Sequence, residues 1–255
     1  MALSDDDAVL ADAATRSMIS ANVNLCRILE EGFVRLEPGV AAIVSGGQIP
    51  SMNSVLLSEP TADIDTAAQL IDDLVATGLP NVVVVRPAAL PKVQSILTDR
   101  GRSRVDELPF MVRTESQPPA VMNDMLRLIE LRPGQIAQHA TLLAAGFEIP
   151  VELLDDIVVE TAFAVPGFHC YIGEVAGEPV TTGVGMLTDG WLGVFNIATP
   201  PTHTRRGYGG AVTARIVSDG LAAGAQASYL QSSNAGYGVY QQLGFRTVEE
   251  WSIWA

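Results

Sequence analysis

The sequence predicts an α/β (α+β) fold with mixed, mostly antiparallel twisted sheets flanked by helices. Three observations predict it. The run Val82-Val83-Val84-Val85 is apolar and β-branched, as in a strand covered on both faces. Between 169 and 198 three strand-like stretches follow one another, and Asp189-Gly190 between the last two is a two-residue hairpin signal. From 194 to 245 the chain reads strand, glycine-rich turn, helix, strand, polar turn, helix.

The elements follow in order. Ser4 followed by Asp5, Asp6 and Asp7 is a helix start with acid in the first turn, and Leu10, Ala14, Met18 and Ile19 recur at helical spacing. A second helical stretch is expected over 25–32. Strands are expected from Phe33 to Leu36, over 40–45 and over 54–57, with a turn at Pro38-Gly39. An amphipathic helix over 63–76 closes at Gly78. After the buried strand at Val82, a short helix covers 91–100 and a strand 108–113. Pro118 and Pro119 exclude helix and central strand, so 116–120 reads as a linker. Beyond it come a strand over 125–131, a helix from Pro133 to about Gly146, and a short helical piece over 150–159. Strands over 169–175, 180–187 and 191–198 complete the run up to the glycine-rich turn.

Composition narrows the function. The chain has 255 residues, 48% of them hydrophobic, which suffices for a full core in one or two domains. Its 29 acidic and 15 basic residues give a net charge of −14, which argues against nucleic acid as a partner. That charge fits a cationic acceptor such as an amine, and equally serves solubility alone. Cys26 and Cys170 are the only cysteines, expected as buried free thiols in a reducing compartment. His139, His169 and His203 have no metal-ligand spacing, so no metal is expected. The N-terminus is acidic and carries no signal-peptide pattern, and no apolar run reaches the roughly eighteen residues of a membrane span. A cytoplasmic protein is expected.

The glycine-rich turn is Thr204-Arg205-Arg206-Gly207-Tyr208-Gly209-Gly210-Ala211. Small residues at a helix start let a ligand approach backbone N–H groups that have no intrahelical partner, and the helix dipole favours an anion there. The turn is no Walker loop, because no Lys-Ser or Lys-Thr follows the glycines. Together with Asn234 and Tyr240-Gln241-Gln242-Leu243-Gly244-Phe245, it resembles the GNAT superfamily of acyl-CoA-dependent N-acetyltransferases. The family's pyrophosphate loop is Gln or Arg, two residues, Gly, one residue, then Gly or Ala. Aligned on Gly207 and Gly209, the loop has Thr204 at the first position; a frame starting at Arg206 satisfies the whole pattern. The later family motif is Asn, then Tyr-x-x-Leu-Gly-Phe.

The resemblance implies acetyl-CoA as cosubstrate and an amine as acceptor. Backbone groups of Phe195, Asn196, Ile197, Ala198 and Thr199 would pair with the pantetheine arm. N–H groups from Thr204 to Gly210 would hold the pyrophosphate, with charge from Arg205 and Arg206. Asn234 would bond the arm, or simply cap the last helix. Tyr240 would protonate the departing sulfur, or be only a packed aromatic. For the base, Glu148 is a candidate, otherwise a solvated helix-end carboxylate; His169, Asn196 through a water, and the carboxylate of Ala255 are alternatives, as is capture of a neutral amine with no base. The rival reading is a non-catalytic acyl-CoA-binding or regulatory module.

The two halves echo each other. Ser54 to Ser58 matches Val194 to Thr199, Leu74 to Gly78 matches Leu221 to Gly224, Val82 to Val85 matches Ser228 to Gln231, and Ile96 to Gly101 matches Val239 to Gly244. This predicts tandem GNAT-like domains: a degenerate one over 1–117 and a catalytic one over 118–255, with a homodimer allowed. The first copy has Glu59-Pro60-Thr61-Ala62-Asp63-Ile64-Asp65 where the second has its glycines, so cofactor is expected in the second half only.

Overall fold

The computed structural model of the chain describes residues 6–120 and 123–255. Helix α1 (Asp7–Cys26) is capped by Asp6, whose carboxylate accepts from the N–H of Ala8; Ser4 and Asp5 lie outside the described residues. α1 continues through Leu25 to Cys26 instead of giving way to a second helix over 25–32. No breaker interrupts residues 20–26, and the Cys26 thiol anchors the helix end to the carbonyl of Val44 at 3.0 Å.

Strands β1 (Phe33–Glu37), β2 (Val40–Val44) and β3 (Asn53–Leu57) form an antiparallel meander. Helix α2 (Ile64–Ala76) leads to β4 (Val82–Val85), which runs parallel to β3. Helix α3 (Leu90–Asp99) and strand β5 (Arg104–Arg113) follow. The remainder repeats this plan. Strand β6 (Arg127–Glu130), helix α4 (Ile136–Phe147) and two short 3-10 turns precede the meander β7 (Phe168–Val175), β8 (Glu178–Thr188) and β9 (Trp191–Ala198). Then come α5 (Tyr208–Ala222), β10 (Ala227–Gln231), α6 (Tyr237–Gln242) and β11 (Arg246–Trp254).

Two boundaries depart from expectation. α4 begins at Ile136, not Pro133, because the Glu160 carboxylate accepts from the N–H groups of Gly134 and Ile136 and holds Pro133-Gly134 in a turn. β11 carries no strand signal in the sequence. Its buried residues Trp251, Ser252, Ile253 and Trp254 are consecutive, without the alternation that marks a half-buried strand.

The eleven strands among the described residues form one sheet, in the order β1-β2-β3-β4-β11-β5-β10-β9-β8-β7-β6. The last strand of each half lies in the other's territory. β11 pairs antiparallel with β4 on one side and with β5 on the other, and β5 pairs antiparallel with β10. Helices α2 and α3 pack on one face against Val83, Val85 and the Trp254 that β11 delivers. Helices α5 and α6 cover the same face over β7 to β10, with Leu192, Val194 and Val212 in that core. On the opposite face α1 covers Ala41, Leu56, Phe110 and Trp251, and α4 covers Cys170, Ile172 and Val184.

Arg86 fastens the exchange. It is 4% exposed, and its guanidinium donates to both carboxylate oxygens of Glu249 on β11 at 2.8 Å, to Asp12 on α1 at 2.7 Å, and to the carbonyl of Ser58 at 2.9 Å. A buried charge that is paired and makes four hydrogen bonds in this way fixes the register of β11 against β4.

Candidate active site

The site begins where two parallel strands part. β9 and β10 pair only from Trp191↔Ala227 to Gly193↔Tyr229, and the ladder between them stops there. Residues 194–198 continue β9 without a neighbour on that side, while β8 stays paired on the other. A bulge bends this free stretch: the β8 register jumps between Thr182↔Ala198 and Val184↔Phe195, and Asn196 takes the left-handed conformation with φ 55°. Asn196 is exposed as a result.

The first half has no such opening. β3 and β4 pair over all four residues from Ser54↔Val82 to Leu57↔Val85, and the N–H of Arg86 carries the ladder on to the carbonyl of Leu57. Arg86 then donates to the carbonyl of Ser58, so a guanidinium occupies the end of the seam.

The two helix starts differ as sharply. α2 is capped by Asp63, whose carboxylate accepts from the N–H of Thr66 at 2.8 Å; that backbone bond holds the acid below its ordinary pKa. The helix therefore supplies its own anion. The N-cap residue of α5 is Gly207, with φ 78° and no side-chain cap. The first hydrogen bond of the helix runs from Ala211 N–H to Gly207 carbonyl, so the N–H groups of Tyr208, Gly209 and Gly210 point out of the helix end. Thr204, Arg205, Arg206 and Gly207 are exposed, and Arg205 is also left-handed at φ 61°. The Thr204 hydroxyl donates to the carbonyl of Pro201, and Asn123 donates to the carbonyl of Arg206. A Cβ at Gly209 would stand 3.6 Å from both Ile197 and Thr199, ordinary contact distance, so the helix start faces the free end of β9.

Tyr240 lies on α6, on the same face of the sheet as α5. Its ring meets Phe245 edge-on at 6.2 Å and folds over Gly236, where a Cβ would come within 2.7 Å of the ring. Burial pushes its hydroxyl up to about 12. Asn234 is exposed in the turn before α6, and the side chain that caps this turn is that of Ser233, accepting from the N–H of Gly236. Glu148 is exposed at the end of α4 in a left-handed conformation, φ 55°, and is not among the residues lining the cavity described next. His169 is on β7, bonded to Glu130.

A cavity of about 340 Å³ opens on the opposite face of the sheet, between α1 and α4. Phe195, Asn196 and Gln231 bring the parted strands to its wall, and Ser54, Leu56, Val82 and Val84 form the wall given by the first half. His139 of α4 also lines it. In the sequence His139 has no metal-ligand spacing. Its one legible signal is a histidine on an apolar helix face, three residues after Ile136 and three before Leu142. Among the described residues no group of three or more His, Cys, Asp or Glu could hold a metal ion. Nor is any described helix long and apolar enough to cross a membrane.

Comparison with known proteins bears on the architecture. The chain is similar to a solved structure of a GCN5-related N-acetyltransferase from Kribbella flavida, with TM-score 0.70 and 16% identity over 94% of each chain. It is similar to another from Sphaerobacter thermophilus, with TM-score 0.61 and 14% identity over 96% of this chain and 92% of that one. It is also similar to a tandem GNAT protein from the clavulanic acid biosynthesis pathway, with TM-score 0.57 and 10% identity over 100% of this chain and 96% of that one. No protein-family model and no curated protein matches the chain. The likeness at these identities is one of fold.

Proposed function

We propose that this chain, a tandem GNAT fold, is an acetyl-CoA-dependent N-acetyltransferase whose second half binds the cosubstrate and carries the chemistry. One observation carries the reading: the parting of β9 from β10 lies beside the uncapped, glycine-lined start of α5, while both counterparts in the first half are closed. Residues 195–199 offer a free strand edge to the amides of a pantetheine arm. Tyr208, Gly209 and Gly210 offer N–H groups to a pyrophosphate, with Arg205 and Arg206 adding positive charge nearby. Bound there, acetyl-CoA supplies an activated acyl group. The chain's own residues orient the thioester, receive the amine, and provide a proton for the sulfur from Tyr240.

The reading is tested by thiol release from acetyl-CoA with a panel of amines. Release with at least one amine is expected; binding without release for every amine would favour the non-catalytic acyl-CoA-binding module. Calorimetry should find one acetyl-CoA per chain, because Asp63 and Arg86 fill the first copy's equivalents of the anion and arm sites. Gly209→Val should weaken that binding by about tenfold or more. A Cβ at this position stands at ordinary contact distance, 3.6 Å, from Ile197 and Thr199, so the backbone admits a side chain there. Unchanged affinity in the folded variant, or two cofactors per chain, would overturn this assignment of the loop.

A further inference from the structure

We propose that the cavity between the halves is the acceptor site, that it takes a primary amine borne on an apolar body and entering unprotonated, and that Nε2 of His139 receives the proton the amine gives up. This rests on the acetyl-transfer reading above.

The first support is the state of the imidazole, which hydrogen-bond logic fixes. The Thr182 hydroxyl lies 2.8 Å from the carbonyl of Tyr171, an oxygen that only accepts, so its single proton is committed there. The same hydroxyl lies 2.7 Å from Nδ1 of His139, so Nδ1 carries a proton and donates. Nε2 is then left with its lone pair. It has no hydrogen-bond partner among the described residues, yet it is not among their fully buried unpartnered atoms, although the residue is only 2% exposed. His139 is itself one of the residues that line the cavity.

The second support is position. Thr182, which holds the imidazole, is paired with Ala198 across β8 and β9, so His139 stands beside the bulge at Asn196. Tyr240 packs on the opposite face of the sheet, in the core that also takes in Val194 and Ile197 of β9. A candidate base and a candidate acid thus lie on opposite faces of the sheet.

The third support is the cavity's chemistry. Its walls hold Met18, Leu25, Ile43, Leu56 and Trp251 among many apolar groups, and no lysine or arginine. Asp106 is its one carboxylate; it is exposed on β5, where it accepts from the N–H of Glu107. The other titratable groups facing α4 or the cavity are the Glu160 carboxylate, which accepts from the N–H of Ile136 one turn before His139, the Cys170 thiol, which shares the Thr182 hydroxyl, and the Cys26 thiol in the cavity wall; burial raises both thiols. Burial alone lowers His139 to about 4, so it is neutral at neutral pH. Glu160 is engaged by the N–H groups of Gly134 and Ile136 and does not line the cavity, so an ammonium inside would meet no carboxylate but the exposed Asp106, and desolvation would favour its neutral form. At about 340 Å³ the space suits a small apolar body.

The step balances. The amine lone pair attacks the thioester carbonyl carbon and forms the C–N bond, while the nitrogen gives a proton to Nε2 of His139. The C–S bond breaks and the sulfur takes a proton from Tyr240. Solvent removes the proton from His139 and returns one to Tyr240, so the products are the amide and free CoA.

The experiment uses the full chain and a series from 4-methylaniline to 4-butylaniline, with spermidine as the cationic comparison. Binding is read by tryptophan emission, since Trp251 lines the cavity. Affinity should tighten about fourfold per added methylene until the cavity fills. Spermidine should not bind, and Ser54→Phe should abolish binding of the series while acetyl-CoA affinity, measured separately by calorimetry, is retained. His139→Asn keeps a donor for Thr182 and loses Nε2. Its kcat should fall about a hundredfold with alkylaniline and acetyl-CoA affinities unchanged, and His139→Gln should behave likewise. Binding of spermidine in place of the alkylanilines would overturn the acceptor class. Wild-type kcat in a folded His139→Asn protein, with chemistry limiting, would overturn the role of the imidazole. Alkylaniline binding that persists in a protein unable to bind acetyl-CoA would support the cavity and sink the acetyl-transfer reading alone.

Discussion

Residues 118–255 expressed alone are expected to be insoluble or unfolded, although they contain every residue assigned to acetyl-CoA. The reason is the exchange of last strands. β11 pairs with β5 through eight residue pairs and with β4 through three, and the truncated chain would have neither partner. β10 would lose its four pairs with β5. Trp251 and Tyr229, both 0% exposed, and Trp254, 5% exposed, would lose the cover of Phe110, α1, α2 and α3. Each such side chain contributes about 1.5–3 kcal/mol by burial, and together with the orphaned strand edges the loss is comparable to the roughly 5–15 kcal/mol that holds a whole domain. Soluble yield, far-UV circular dichroism and thermal unfolding check this. Co-expression of residues 1–117 as a separate chain should restore solubility. A truncated protein that unfolds cooperatively and binds acetyl-CoA like the full chain would show that the exchange is dispensable.

Tyr240→Phe should lower kcat by about a hundredfold or more while acetyl-CoA affinity stays the same. The substitution keeps the ring, and with it the edge contact to Phe245 and the packing over Gly236. Only the hydroxyl goes. Because burial holds that hydroxyl up at about 12, it is protonated throughout the neutral range and ready to donate. The sign follows: loss of this proton comes only as pH rises toward 12, so Tyr240 imposes no limb on the kcat profile near neutrality. Stopped-flow or steady-state thiol release with the chemical step limiting is the measurement. A Phe variant with the wild-type rate would leave Tyr240 as packing only.

The sequence by itself determined the local grammar of this protein. Val82 to Val85 had to be a covered strand, and Asp189-Gly190 had to close a hairpin, because β-branched runs and left-handed turn residues leave little choice; both residues of that turn have positive φ. Gly207 and Gly209 marked an open helix start, and Asp63 a self-capped one, for reasons that lie within a few residues of each. The echo between the halves was legible in the same way, element by element. Only the tertiary structure decided what depends on residues far apart in the chain. The trade of β5 and β11 between the halves is held by pairs such as Trp251 with Leu108, 143 residues away, and by Arg86 with Glu249, which no local pattern encodes. The same holds for His139. Its proton is fixed by Thr182, 43 residues on, and its outlook by a cavity whose walls come from both halves, so its side chain acquires a role only when the sheet has brought them together.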